Sequence, residues 1–235
     1  MARYNPDGTL DSTFGQGGTV VRRELPYGAD FAIDAQGRLV IAGGTDEYDV
    51  NSKLIVVRFN PNGSPDTRFG QGGQITTGFG GRGFSFTNLA VDRDSRVLVA
   101  GTSGTDTSSP RLTLARYTSD GSLDGSFGQS GKVLDTNFNL DVQRVRLDAQ
   151  QRIVVAAVAV RPASYTTALL RSNPDGTYDQ GFGQNGELYV ANNFPGDPGV
   201  FFYNLLVDQN GRYLRIGEDA SNRNDYDLGL SRFTP

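Results

Sequence analysis

The chain has 235 residues, 22 Lys and Arg against 26 Asp and Glu, a formal net charge of −4, and no His, Cys or Trp. The missing Cys and His exclude thiol catalysis, disulfide staples, imidazole bases and His-based zinc sites together. Mild acidity supplies no basic stripe for a polyanion, and no apolar run approaches the ~20 residues of a membrane span, so neither nucleic acid nor membrane is an expected partner.

The chain opens on Arg3-Tyr4-Asn5-Pro6-Asp7-Gly8, followed by Asp11 and Phe14-Gly15-Gln16. The pattern returns at Arg58-Phe59-Asn60-Pro61-Asn62-Gly63, at Arg116-Tyr117-Thr118-Ser119-Asp120-Gly121 and at Arg171-Ser172-Asn173-Pro174-Asp175-Gly176. A fifth copy starts at Arg232-Phe233-Thr234-Pro235. The Asp common to the full copies falls at Asp11, Asp66, Asp124 and Asp179, in steps of 55, 58 and 55 residues. A fixed period of this size signals a repeat architecture, in which one unit cannot bury its apolar face alone. The chain is therefore read as a single domain over residues 1–235, and its 31 glycines as turn residues at equivalent places.

Within each unit, four short runs predict strands. The first ends in an Asp-to-Arg hairpin: Asp34 to Arg38, Asp92 to Arg96, Asp148 to Arg152 and Asp208 to Arg212. The second is the most apolar, as in Leu39-Val40-Ile41-Ala42-Gly43 and Ile153-Val154-Val155-Ala156-Ala157, and suits a strand covered on both faces. The third alternates into the turn motif, as in Leu54-Ile55-Val56-Val57-Arg58-Phe59, and the fourth follows the glycines, as in Gln74-Ile75-Thr76. Four-stranded antiparallel units repeated radially describe an all-β fold, a β-propeller of four blades that hides its sheet edges by circular stacking.

The string Ala2-Arg3-Tyr4-Asn5-Pro6-Asp7-Gly8-Thr9-Leu10-Asp11 with Phe14-Gly15 resembles the delta-60 repeat, a bacterial β-propeller repeat family of unknown function, and recurs along essentially the whole chain. Asn62 and Pro65, Thr118-Ser119, and Ser172 with Tyr178 depart from it. The resemblance implies a fold and transfers no catalytic residue or cofactor. Met1 runs straight into a repeat without a signal-peptide pattern, and the composition fits cytoplasmic and extracytoplasmic compartments alike.

Counted by strands, the last unit has three and stops at Pro235, while residues 18–25 read as a fourth strand with no unit of their own. The expectation is a ring sealed by N- and C-terminal strands sharing one blade, giving a closed monomer in which residues 1–4 are dispensable because Arg232 fills their slot. The alternatives are half of an eight-bladed dimer and an excerpt of a longer array.

Each Arg stands eight residues before the repeat Asp, which reads as a partly buried ion pair pinning the turn. Asn5, Asp7, Thr9 and Asp11 alternate oxygen ligands, but Gln16 stands where a calcium loop needs Glu, so an Asx turn and no metal are expected. Phe14, Phe69, Phe127 and Phe182 read as core anchors. Function is sought in the loops that differ between units. The aromatic and charged candidates are Tyr27, Tyr48, Phe79, Arg82, Phe84, Phe138, Phe194, Asp197, Phe201, Tyr203, Glu218 and Asp219. They suggest a non-catalytic scaffold that binds a protein or a glycan, with no cofactor. The enzyme alternative is a carboxylate-based glycoside hydrolase or lyase using Asp197, Glu218 or Asp219. The third reading is a purely structural repeat.

Overall fold

The computed structural model describes residues 1–22, 27–45, 53–79, 83–104, 111–135, 140–161, 164–190, 202–208, 212–222 and 225–233. All regular structure among them is β-strand. Blade 1 comprises β1 (Tyr27–Ile33), β2 (Leu39–Gly44), β3 (Leu54–Phe59) and β4 (Gln74–Thr77). Blade 2 comprises β5 (Gly83–Val91), β6 (Val97–Gly104), β7 (Arg111–Tyr117) and β8 (Lys132–Leu134). Blade 3 comprises β9 (Leu140–Leu147), β10 (Ile153–Arg161), β11 (Ser164–Ser172) and β12 (Glu187–Val190). Blade 4 comprises β13 (Phe202–Val207), β14 (Tyr213–Asn222) and β15 (Asp225–Phe233). Every sheet is an antiparallel meander in chain order, and the chain is a β-propeller.

The hairpins and turns have local causes. The Asp34 carboxylate accepts the backbone N–H groups of Gln36 and Arg38 at 2.9 Å each, and Gly37 completes the β1–β2 hairpin at φ +74°. In the turn motif, Asn62 accepts both the Ser64 N–H at 3.0 Å and its hydroxyl at 2.8 Å, with Gly63 at φ +83°. Asp7, Asp120 and Asp175 form the same Asx turn with Thr9, Ser122 and Thr177.

Blades stack through apolar faces. Val40, Ala42 and Val56 of blade 1 pack with Leu89, Val97 and Val99 of blade 2. Leu98, Ala100 and Leu114 of blade 2 meet Val145, Ile153 and Val155 of blade 3. Phe182 meets Tyr213 of blade 4 edge to face, with ring centres 5.6 Å apart. A backbone bond from each Phe-Gly turn to the next turn along the series adds to this: Gly15 N–H to Asn62 O, Gly70 N–H to Asp120 O and Gly128 N–H to Asp175 O, each 2.8 Å.

The chain's start forms a hairpin of its own. Residues 18–20 pair with the chain's own start and not with β15: Thr19 lies opposite Ala2, and Arg3 N–H donates to Gly18 O at 3.0 Å. Met1 and Val20 exchange bonds of 2.7 and 2.9 Å, and both side chains pack on Ile41, Val57 and Phe59 of blade 1. The seal through a shared blade is not seen among the described residues, and Met1–Arg3 are engaged. The intervening loop is the repeat's own turn, so this hairpin closes at far less entropic cost than pairing with a strand some 200 residues away.

Candidate functional site

The repeated charged residues turn out to form the frame. Arg58 and Asp66 meet at 2.9 Å, Arg116 and Asp124 at 2.8 Å, Arg171 and Asp179 at 2.8 Å, and Arg3 and Asp11 at 2.7 Å. Each guanidinium also lies over the Phe of its own repeat, 4.8 Å above Phe14, 4.4 Å above Phe69, 4.6 Å above Phe127 and 4.5 Å above Phe182. The hairpin Arg joins in: Arg38 binds Asp34 at 2.6 Å and reaches Asp66 at 3.5 Å, and Arg152 binds Asp148 at 2.7 Å and reaches Asp179 at 3.3 Å. Arg3 further donates to Pro61 O and Arg116 to Pro174 O, each across to the next turn motif. These groups hold the blades together, which leaves ligand chemistry to residues that differ between units.

Five of the sequence-derived candidates stand at one end of their sheets. Tyr27 opens β1 opposite Gly44 at the end of β2, and Phe84 near the start of β5 lies opposite Ser103 near the end of β6. Tyr203 lies in β13 beside Phe202, which pairs with Gly217, so Glu218 and Asp219 extend β14 past the first residue of β13. The backbone places these five at the same end, where β2–β3 and blade-to-blade connections emerge. Tyr48, Arg82, Phe138, Phe194, Asp197 and Phe201 lie outside the described residues. Phe79 follows β4 half-buried against the core between blades 1 and 2, with the Lys132 ammonium 4.9 Å from its ring centre.

Two polar clusters escape the sequence reading. The first lies on the innermost strands, where β-bulges interrupt the register between Tyr27 and Asp30 and between Phe86 and Asn88. The Asp30 carboxylate accepts from the Asn88 amide, and from Leu89 N–H at 3.2 Å. The Asn88 oxygen in turn accepts Val145 N–H at 3.0 Å and Arg146 at 2.9 Å, linking three blades. Burial lowers the Arg146 pKa, the neighbouring Arg144 charge adds to this, and Asp30 opposes it. The available signal was positional: Asp30, Asn88, Arg144 and Asn204 each stand four residues before the hairpin Asp.

The second cluster borders a groove between blades 2 and 3, about 600 Å³, lined by Val133, Leu134, Asp135, Asn173, Thr177 and Tyr178 among others. Tyr178 donates to the buried Asp135 carboxylate. Tyr189 donates to Glu187 on β12 at 3.2 Å. Burial raises the Glu187 pKa, the Tyr189 hydrogen bond pulls it down, and the Asp135 charge pushes it up again. The equivalent groove between blades 1 and 2 has neutral chemistry, with Tyr117 donating to Thr77 at 2.7 Å. Here the repeat breaks its own symmetry, which a purely local reading of each unit passes over.

Residues 1–14, 36–69 and 93–127 match the family described as "Domain of unknown function (DUF5122) beta-propeller". No curated protein matches the sequence. Among solved structures, the chain is similar to the GH43 endo-arabinanase from Bacillus licheniformis, with a TM-score of 0.46 and 12% identity over 87% of this chain and 72% of that one. It is also similar to MPT-4, a mannose phosphorylase from Leishmania mexicana solved with phosphate ion, with a TM-score of 0.40 and 14% identity over 89% of this chain and 65% of that one, less than two thirds of its length.

Proposed function

We propose that the chain is a β-propeller scaffold of the delta-60 repeat type whose variable loop end binds a protein or a glycan without catalysing a reaction. One observation supports it: the register brings Tyr27, Phe84, Tyr203, Glu218 and Asp219 to one end of the sheets. The repeated Arg, Asp and Phe are meanwhile consumed in the ion pair and ring contact that pin each turn. A rigid frame that presents aromatic and acidic groups on its connections suits recognition, because aromatic rings add contact area at small entropic cost. The test is a glycan array and an interaction screen with the intact chain, repeated with Phe84→Ala/Tyr203→Ala. Binding weakened at least ~10-fold, which is ~1.4 kcal/mol, supports the loop end. Binding unchanged by the double substitution moves the site elsewhere.

The Asp135 and Glu187 carboxyl groups beside the groove between blades 2 and 3 favour a second reading, a carboxylate-based glycoside hydrolase or lyase. Burial and the Asp135 charge raise the Glu187 pKa, which suits that carboxyl to the acid role of such chemistry. Turnover of a chromogenic glycoside panel that disappears in Glu187→Gln would establish this reading and end the non-catalytic one. Turnover lost in Asp197→Asn instead would place the carboxylate chemistry on the loop end.

A further inference from the structure

A hydrogen-bond series runs from blade to blade along the innermost strands and changes its chemistry at blade 3. Each of these strands bulges just before one equivalent position, held by Asp30 on β1, Asn88 on β5, Arg144 on β9 and Asn204 on β13. A bulge re-aims the side chain beside it. At the first two positions a side-chain oxygen accepts the backbone N–H one residue past the equivalent position of the next blade: Asp30 takes Leu89 N–H at 3.2 Å, and Asn88 takes Val145 N–H at 3.0 Å. Leu205 holds the same place after Asn204, and it pairs with Arg215 in the register in which Leu89 pairs with Val99 and Val145 with Val155. Its N–H is therefore likewise turned away from β14. β13 lies beside β9, so the residue in line to cap that N–H is Arg144. A guanidinium has donors only and cannot accept it.

The charges point the same way. Arg144 and Arg146 stand two residues apart on β9, both half-buried, and the Arg144 charge is close enough to disfavour that of Arg146. Asp30 counters Arg146, but its carboxylate already accepts from the Asn88 amide and Leu89 N–H. Asp141, further along β9, is engaged with Gln143 and Thr102. Arg146 donates to Asn88 O at 2.9 Å and to Val145 O at 2.8 Å. Among the described residues, Arg144 donates to the carbonyl of its own neighbour Gln143, at a long 3.4 Å. The cluster thus holds two cations against one anion, and the series calls for one more acceptor at the same place. We infer that this place, between β9 and β13, binds the carboxylate of a small ligand, which Arg144 grips through parallel N–H bonds while Leu205 N–H donates to one of its oxygens. The ligand then does for Leu205 what the Asp30 carboxylate does for Leu89. A planar carboxylate also matches the guanidinium fork, which an ammonium would not reproduce. Binding there requires nothing of the loop end.

Sodium glucuronate and sodium phosphate, titrated at constant ionic strength into the isotope-labelled intact chain and followed by NMR, test the site directly. Glucuronate is expected to move the Leu205 amide and Arg144 Nε–H signals saturably and to raise the melting temperature by mass action, with phosphate at least ~10-fold weaker. Arg144→Lys keeps the charge and loses the fork, and is expected to weaken glucuronate at least ~10-fold. Arg144→Asn supplies the acceptor that Asn88 supplies one blade earlier. It is expected to abolish the saturable shift and to melt higher than the unliganded parent chain. No saturable shift of either signal in the parent chain at tens of millimolar glucuronate overturns the inference, because the chain itself would then fill the place. Phosphate that binds as tightly as glucuronate overturns the carboxylate assignment, and Arg144→Lys or Arg144→Asn that binds glucuronate unchanged overturns the role of Arg144.

Discussion

Arg58 and Asp66 form an ion pair 2.9 Å long in which both side chains are almost wholly buried, 1% and 2% exposed. The corresponding Arg3 and Asp11 pair is 37% and 20% exposed at 2.7 Å. The same two residues at the same spacing therefore sit in different surroundings. Arg58 also stacks on Phe69 and shares Asp66 with Arg38. Among the described residues its Nη1 has no hydrogen-bond partner, so Asp66 is its principal compensation. Burial lowers the Arg58 pKa, with the Arg38 charge second, and Asp66 opposes both.

Replacing Asp66 by Ala is expected to cost about 3–5 kcal/mol, because it strands a buried guanidinium. Asp11→Ala is expected to cost ~1 kcal/mol or less, as for an exposed pair. Urea denaturation midpoints of the two variants check this. Equal shifts would mean that burial does not decide the value of the pair.

Gly70 sits at φ +57°, and a Cβ there would lie 2.3 Å from the Gln74 carbonyl oxygen and 2.4 Å from Ile75 Cγ2. Neither the backbone oxygen nor the paired strand can move away cheaply. Gly72, at φ +63°, has nothing within 4 Å of where a Cβ would stand, and its place in later repeats is taken by Ser130 and Asn185 at φ 51° and 57°. Gly70→Ala is expected to lose at least ~2 kcal/mol and Gly72→Ala roughly 1 kcal/mol, measured by thermal unfolding. A mild Gly70→Ala would show that the Phe-Gly turn can relax away from β4.

Acid should destabilise the chain through the frame carboxylates. For Asp66, burial opposes ionisation, but the Arg68 N–H and the Arg58 charge outweigh it and hold the pKa below the usual carboxylate range. For Asp124, burial is likewise outweighed, by the Ser126 hydroxyl and N–H and by Arg116. A folded pKa below the unfolded value of about 3.9 means that fewer protons are bound when folded. Their contribution is full above that value and is lost as pH falls through the folded pKa. Stability from these groups is expected to be flat from about pH 7 to 5 and to fall below about pH 4, read as urea midpoints across that range.

Glu187 carries the opposite sign. Its folded pKa lies above the unfolded value of about 4.3, so its contribution is present at lower pH and lost as pH rises through the folded pKa. Glu187→Gln is therefore expected to gain more stability at about pH 7 than at about pH 4, on the order of a few tenths of a kcal/mol in difference. The same shift at both pH values would mean that the carboxyl is not strained by burial and Asp135.

The repeat period, the four runs per unit, the Asx turns and the Arg and Asp pairing were legible because each depends on residues within one repeat. Asn62 stands where the other repeats carry Asp7, Asp120 and Asp175, and the turn is undisturbed, since either side chain accepts an N–H two residues on. What the sequence could not rank was one copy against another. Arg3-Tyr4 and Arg232-Phe233 spell the same strand end, and the shorter loop paired Thr19 with Ala2. Local code is degenerate in a repeat protein, so neighbours are decided by position in the stack.

By itself, then, the sequence determined the blade: its hairpins, its turn glycines and the ion pair that closes each turn, all set by hydrogen bonds and charges a few residues apart. Only the tertiary structure decided how much each equivalent residue is worth. It buried Arg58 and left Arg3 partly in solvent, covered Leu89 and left Phe31 open, and joined Asp30, Asn88 and Arg146 across three blades. The physical reason is that burial and long-range electrostatics depend on which surface lies opposite, and in this chain that surface belongs to another repeat some 55 residues away.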